Sequence, residues 1–184
     1  MSSRILGRLI IASAAGAMLL LSSAAPASAH TAVSPPAAPR TPSAATRMVV
    51  SKNGMACPVG PARDVTNSFG DPRGGGRRHQ GIDIMASYGT PVYAIESGTI
   101  VKAYTNRRGG LSIFLRGRSG VQYFYAHQSA NLVVTGQTVG AGQLIGRVGT
   151  SGNARGSAPH VHFEKLVGGR RPIDPFGLVK ATCG

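Results

Sequence analysis

Short runs of alternating hydrophobic and polar residues, separated by glycine-containing turns, fill the chain from residue 89 to residue 175. The four clearest segments are GTPVYAIESGTIVKAY (89–104), LSIFLRGRSGVQYFYAH (111–127), LVVTGQTVGAGQLIGRVG (132–149) and VHFEKLVGGRRPIDP (161–175). The first predicts two strands around Ser97-Gly98, the second a hairpin with its tip at Gly117–Gly120, the third short strands, and the fourth a strand, a Gly-Gly turn and a short return. No segment longer than ten residues carries a convincing helical stripe, so the pattern predicts an all-β fold, an antiparallel sandwich or barrel.

The first 29 residues have the features of a secretory signal peptide. Arg4 and Arg8 form a basic start, Leu9–Leu21 is an apolar run, and Ala27-Ser28-Ala29 is a small-residue cleavage site. We predict cleavage after Ala29, with a cut after Ala27 as the alternative. No later segment is apolar for about 18 residues, the length that a membrane span needs. The mature protein is therefore expected to be secreted and to have no membrane span.

Composition divides the remainder into a linker and one domain. Residues 30–47, HTAVSPPAAPRTPSAATR, are rich in Pro, Ala, Ser and Thr and have almost nothing to bury, which predicts a linker or pro-segment. Residues 48–184 are enough for one domain with a real core.

Positive charge dominates the mature chain. Loss of Arg4 and Arg8 lowers the formal net charge from +14 to +12. Such a charge favours polyanionic partners. An exported protein rarely meets nucleic acid as its proper target, and no aromatic-interleaved basic stretch of the RNA-binding kind is present. Anionic cell-wall polymers fit better, with a generally basic surface as the unspecific alternative.

Two cysteines, Cys57 and Cys183, flank the domain. An even pair in an exported protein predicts a disulfide, here one that ties the two ends of the domain together. A pair of zinc thiolates is the weaker alternative, because a full set of zinc ligands exists elsewhere.

The histidines of the domain and one aspartate suggest a metal site. His79 and Asp83 lie in HQGID, where four steps of extended strand would separate them by about 13 Å. Gly81 between them can supply a bend that brings them together. His160 and His162, in PHVHFEKL, would share one face of a strand. Zinc takes imidazole and carboxylate ligands, and catalytic zinc keeps three protein ligands plus water.

The residues alone leave one choice open at this site. Either His162 or His160 could be the third ligand, and the other would stand beside the zinc-activated water. His127, at the end of YFYAH, would be a second unligated imidazole able to move a proton. Glu164 shares the His162 face and is the weaker candidate for the base.

The elements RRHQGIDI, YAH and GNARGSAPHVHFE together resemble the lysostaphin-type zinc metallopeptidases, the M23 family of cell-wall endopeptidases. The flanking GTPVYAIESGTIV and GQTVGAGQLIGRVGTSGN agree, so the resemblance covers about residues 57–177. The opening CPVGPARDVTNSFGDPR is similar to the secreted actinobacterial branch. The resemblance implies an antiparallel β-sheet with a groove and a barrel-sandwich element like that of lipoyl carriers.

The same resemblance assigns roles to the candidate residues. It implies Zn²⁺ held by His79, Asp83 and His162, and a catalytic pair formed by His127 and His160. It implies hydrolysis of peptide bonds in peptidoglycan stem peptides or cross-links, with the zinc-bound water as nucleophile. We expect a secreted, cell-wall-associated monomer.

The sequence departs from the family pattern in one segment, and two alternative functions are considered. NRRGGLSIFL (106–115) lacks the Tyr-Gly-Asn often seen before the central strand of the family, which leaves substrate preference open. The main alternative is a non-catalytic wall-binding or amidase-activating domain, which would need no metal. A carrier domain is the third possibility, but no lysine lies in 132–156 to accept a cofactor.

Overall fold

The computed structural model describes residues 48–60, 62 and 64–184. The predicted signal peptide, residues 1–29, and the predicted linker, residues 30–47, lie outside the described residues. The described strands, in chain order, are β1 (Asp64–Val65), β2 (Pro72–Arg73), β3 (Arg77–Arg78), β4 (Ile82–Met85), β5 (Pro91–Tyr93), β6 (Gly98–Asn106), β7 (Gly110–Gly117), β8 (Gln122–Gln128), β9 (Ala130–Asn131), β10 (Thr138–Val139), β11 (Leu144–Arg147), β12 (His160–Val167) and β13 (Arg171–Ile173). A helix, α1 (Phe176–Cys183), ends the chain.

The main sheet has eight strands, and its strand pairs are antiparallel. Its order is β1-β4-β12-β8-β7-β6-β10, with β13 pairing against the second half of β12. The predicted all-β antiparallel fold is therefore confirmed, as are the hairpin of β7 and β8 and the strand, turn and return of β12 and β13. Two smaller sheets complete the described part, one of order β5-β11-β9 and one formed by β2 and β3.

The core lies on one face of the central strands. In β12, Val161 and Phe163 are fully buried, whereas His160 and His162, which alternate with them, are only partly buried. In β7, Ile113 and Leu115 are fully buried and face the same hydrophobic cluster. The period-two alternation therefore sends hydrophobic side chains to the core and leaves the opposite face of these strands for the site.

A disulfide and the C-terminal helix close the domain. Cys57 is bonded to Cys183, at the end of α1, which confirms the predicted pairing. Val179 is the fully buried residue of this helix and belongs to the core cluster. The pattern of the sequence did not predict α1. Within the described part of the chain, no helix is long and apolar enough to span a membrane.

Candidate active site

The pairing of β12 with its two neighbours brings the candidate ligands together. His162 lies opposite Asp83 of β4 on one side and opposite Ala126 of β8 on the other. Directly opposed residues on one face of a sheet have neighbouring side chains, so the register alone brings Asp83 against His162. His127 follows Ala126 in β8, where a regular strand would turn the side chain to the opposite face, yet its ring centroid lies 6.1 Å from that of His162.

His79 reaches the site through a bend, as the sequence predicted. Residues 79–81 connect β3 to β4 without strand pairing, and Gly81 is a bend. A Cβ at Gly81 would collide with the backbone carbonyl of Phe163 in β12. Glycine therefore allows the connection to approach β12 closely, and His79 Nε2 ends 3.3 Å from Asp83 Oδ1 instead of a strand length away.

Three ligand atoms converge at this point: His79 Nε2, His162 Nδ1 and Asp83 Oδ1. The distances between them are 2.8 Å for the two nitrogens, 3.3 Å from His79 to Asp83 and 3.2 Å from His162 to Asp83. At zinc–ligand distances of about 2.0–2.1 Å, neighbouring ligand atoms of a tetrahedral site lie about 3.3–3.4 Å apart. The triangle is close to one face of such a tetrahedron, so the residues fit a zinc ion with one further position open.

Each ligand side chain forms a hydrogen bond to a group outside the triangle. His162 Nε2 donates to Glu164 Oε1 at 2.8 Å. His79 Nδ1 lies 2.8 Å from both the Ser68 carbonyl oxygen and Arg73 Nη2, and it donates to Ser68 in the tautomer that leaves Nε2 free. These bonds leave Nε2 of His79 and Nδ1 of His162 for the metal. On Asp83, the outer oxygen Oδ2 accepts from Arg73 Nη2 at 2.9 Å. Such outer contacts are the usual way in which proteins fix the orientation and tautomer of metal ligands.

The electrostatics of the triangle favour a positive charge at its centre. Burial of the His162 ring lowers its pKa, but the hydrogen bonds and charges of Asp83 and Glu164 outweigh burial and raise the pKa to about 9. Burial raises the pKa of Asp83, and hydrogen bonds from His162 and His79 together with their charge outweigh it and hold that pKa well below its usual range. In protein without metal, a proton on His162 Nδ1 therefore bonds the three groups, in the position where a cation would bind.

His127 and His160 form a second pair beside the triangle. Their ring centroids lie 5.0 Å apart. His127 Nδ1 donates to the Ser151 carbonyl oxygen at 2.9 Å, and His160 Nδ1 donates to that of Ala158 at 2.8 Å. Both rings therefore keep the Nε2 lone pair free, and His160 Nε2 lies 4.0 Å from Asp83 Oδ1. Burial, with a smaller effect of the neighbouring histidines, lowers the pKa of His127 to about 4, so its ring is neutral at pH 7.

The backbone of His127 is strained. Its φ is 63°, and it is the only non-glycine residue with positive φ in the described part of the chain. The register of β7 against β8 shifts between Leu111 and Ile113, next to the point where Gln128 pairs with Leu111. The His127 N–H donates to the Gly109 carbonyl oxygen at 2.7 Å, which helps to hold this conformation. Left-handed backbone at a non-glycine residue costs about 1–3 kcal/mol and is concentrated at functional sites.

All five predicted site residues line one groove of about 960 Å³: His79, Asp83, His127, His160 and His162. Four partly buried aromatic side chains also line it: Phe69, Tyr104, Phe114 and Phe124. The Phe114 and Phe124 rings stack with centroids 4.5 Å apart. The sequence pattern did not single out these aromatic residues. For Phe114 and Phe124 the signal was a phenylalanine between two buried positions, Ile113 and Leu115 in the case of Phe114, where a polar residue is expected.

Comparison with known proteins identifies the family. Residues 77–175, more than half of the chain, match the description Peptidase family M23. The chain belongs to peptidase family M23. The resemblance inferred from the motifs is thereby confirmed, although an actinobacterial source is not.

Two curated M23 relatives differ in the bond that their names specify. The glycyl-glycine endopeptidase ALE-1 of Staphylococcus capitis is 43% identical over 112 residues, covering 58% of this chain and 30% of the relative. The L-Ala–D-Glu endopeptidase of Bacillus subtilis (strain 168) is 38% identical over 127 residues, covering 62% of this chain and 39% of the relative. This chain therefore spans less than two fifths of the length of either relative.

Solved M23 structures share the fold. The catalytic domain of lysostaphin from Staphylococcus simulans matches with a TM-score of 0.58 and 35% identity, covering 64% of this chain and 92% of that domain. A zinc-containing peptidase from Vibrio cholerae matches with a TM-score of 0.58 and 31% identity, covering 65% of this chain and 38% of that protein.

Proposed function

We propose that this protein is a secreted, zinc-dependent endopeptidase that hydrolyses peptide bonds in the stem peptides or cross-links of peptidoglycan. The observation that supports it best is the convergence of His79 Nε2, Asp83 Oδ1 and His162 Nδ1 on one point of a groove, in a chain of the M23 family. When bound there, zinc would supply Lewis-acid activation of water and of the scissile carbonyl.

His127 and His160 are proposed to move protons during the reaction. Their Nδ1 atoms are committed to backbone carbonyls, so each ring offers Nε2 to the groove as an acceptor. A neutral imidazole in hydrogen-bond reach of the reacting group can take a proton and later deliver it to the leaving amine. The low pKa of His127 keeps its ring neutral, and therefore ready to accept, at the start of the reaction.

The rest of the chain is consistent with work outside the cell. The signal-peptide features of residues 1–29 support export, and the disulfide between Cys57 and Cys183 suits an oxidising compartment. The positive net charge supports binding to anionic wall polymers. We propose residues 48–184 as the catalytic domain and a monomer as the active form.

The test is digestion of purified peptidoglycan by the mature protein, with the released fragments identified by mass and zinc measured by elemental analysis. We expect about one zinc per chain and new amino and carboxyl termini in the wall peptides. His79→Ala should lose both zinc and hydrolysis. A purified protein that carries zinc in this triangle but releases no wall fragment would favour a non-catalytic, wall-binding function.

A further inference from the structure

The groove is lined by more positively charged side chains than the proposed hydrolysis requires. Four arginines line it, Arg73, Arg77, Arg78 and Arg108. Two acids line it as well, and both are already engaged. Asp83 belongs to the ligand triangle and pairs with Arg73, and Glu164 accepts from His162. Arg77, Arg78 and Arg108 are therefore not neutralised by the acids of the groove.

These three arginines come from two different segments of the chain. Arg77 and Arg78 form β3, in the small hairpin before His79, and Arg108 lies in the turn between β6 and β7. All three are exposed, and none forms an ion pair with any described residue. Arg77 and Arg78 each use one side-chain nitrogen on a backbone carbonyl, that of Gly74 at 3.1 Å and that of Gly70 at 3.2 Å. A guanidinium has five N–H donors, so most of them remain for a ligand.

We propose that the groove selects peptidoglycan stem peptides by their free carboxylates, and that Arg77, Arg78 and Arg108 determine this preference over uncharged glycine bridges. This inference rests on the proposed function. Arginine is the side chain best suited to a carboxylate, because its planar fork can donate two parallel hydrogen bonds. A stem peptide carries carboxylates on its glutamate and diaminopimelate residues, whereas a glycine bridge has only neutral amides.

General basicity does not account for this arrangement. Other exposed arginines, such as Arg116 and Arg118, lie at the far end of β7 and do not line the groove. The aromatic side chains of the groove offer the same apolar contact to a stem peptide whether its carboxylates are free or amidated, so they do not distinguish these two substrates. Charge is the property of the groove lining that does distinguish them, and it comes from both segments that carry the arginines.

The test compares matched substrates. Cross-linked muropeptides with free carboxylates are hydrolysed in parallel with the same muropeptides after carbodiimide amidation, and with pentaglycine. We expect the wild-type protein to have the highest kcat/KM on the free carboxylates, with the preference expressed in KM and reduced by salt. Each exposed charge pair contributes a factor of about 1.4–5, so the triple variant Arg77→Gln/Arg78→Gln/Arg108→Gln should lose about 3-fold to 100-fold on this substrate.

The control is a second triple variant with the same net charge, Arg116→Gln/Arg118→Gln/Arg170→Gln, in which the altered side chains are exposed and lie outside the groove. It should keep the wild-type preference. Binding of the free-carboxylate muropeptides to zinc-depleted protein, measured by calorimetry, gives the same comparison without turnover.

Three results would overturn the inference, and they are distinguishable. Equal hydrolysis of free and amidated muropeptides, or faster hydrolysis of pentaglycine, would refute the carboxylate preference while the proposed function stands. Equal losses in the two triple variants would assign the effect to net charge and not to the groove. Absence of hydrolysis of every substrate by the zinc-loaded wild type would refute the proposed function itself.

Discussion

Glu164 is predicted to control the exchange of a proton for zinc at His162. Its Oε1 accepts from His162 Nε2 at 2.8 Å, and both side chains are largely shielded from solvent. The carboxylates of Glu164 and Asp83 together raise the pKa of His162 to about 9 in protein without metal. A hydrogen bond to a charged group contributes about 1.5–3 kcal/mol, and 1.36 kcal/mol corresponds to one pH unit. Glu164→Gln should therefore move the His162 midpoint down by about 1–2 pH units.

The proton on His162 should also determine how the apparent affinity for zinc depends on pH. Zinc needs His162 Nδ1 deprotonated, so at pH 7, two pH units below a pKa of about 9, the proton weakens apparent zinc affinity about 100-fold. Apparent affinity should rise with pH up to about 9. Loss of an outer carboxylate typically weakens zinc binding about 10–100-fold, but Glu164→Gln also removes proton competition. The variant should thus bind zinc clearly less well at pH 9 and only slightly less well at pH 7.

The assay is NMR titration of the histidine ring resonances in zinc-depleted protein, with zinc affinity measured by competition with a chelator at pH 7 and pH 9. Asp64→Asn is the control, because it removes one exposed carboxylate that has no contact with the site. A His162 midpoint near 6.5 in the wild type, or a midpoint that Glu164→Gln leaves unchanged, would refute the reasoning.

Two further predictions concern the remaining histidines and the disulfide. His162→Ala should lose zinc, whereas His127→Ala and His160→Ala should retain zinc and lose turnover by about 10²–10⁴-fold, the usual effect of a lost proton-transfer group. Zinc analysis beside peptidoglycan hydrolysis checks this, and zinc loss in His160→Ala with retention in His162→Ala would reverse the two roles. Replacing Cys57 and Cys183 by alanine opens a link across a sequence separation of 126 and should cost up to about 5 kcal/mol in the free energy of unfolding. Urea unfolding measures it, and a change below about 1 kcal/mol would contradict the loop-entropy account.

Local sequence rules predicted the strands and part of the site. The alternation in PHVHFEKL correctly placed His160 and His162 on one face and Val161 and Phe163 on the other. The glycine of HQGID correctly indicated a bend that brings His79 to Asp83. Both inferences need only backbone geometry within a few residues, which is why the sequence was sufficient for them.

Features that depend on distant pairing could not be predicted in this way. The left-handed conformation of His127 goes with a register shift between β7 and β8, which no local pattern encodes. The tautomers depend on partners that only the folded chain supplies, such as the Ser68 carbonyl for His79. The helix α1 has eight residues, too few for a helix to be stable alone in water, so it depends on burial of Val179 and on the disulfide rather than on a visible stripe.

The precision of the site follows from the central position of β12. Its two edges pair with β4 and β8, so one strand sets the distance from His162 to Asp83 and positions Ala126, the residue before His127. The same strand buries Phe163 on its other face, where its ring centroid lies 5.1 Å from that of Tyr125. Ligand and core positions thus alternate along one backbone, and a change in core packing at Phe163 would shift the ladder that carries the ligands. The rigidity of the ligand triangle therefore depends on the hydrophobic core beneath it, as well as on the ligands and the residues that hydrogen-bond to them.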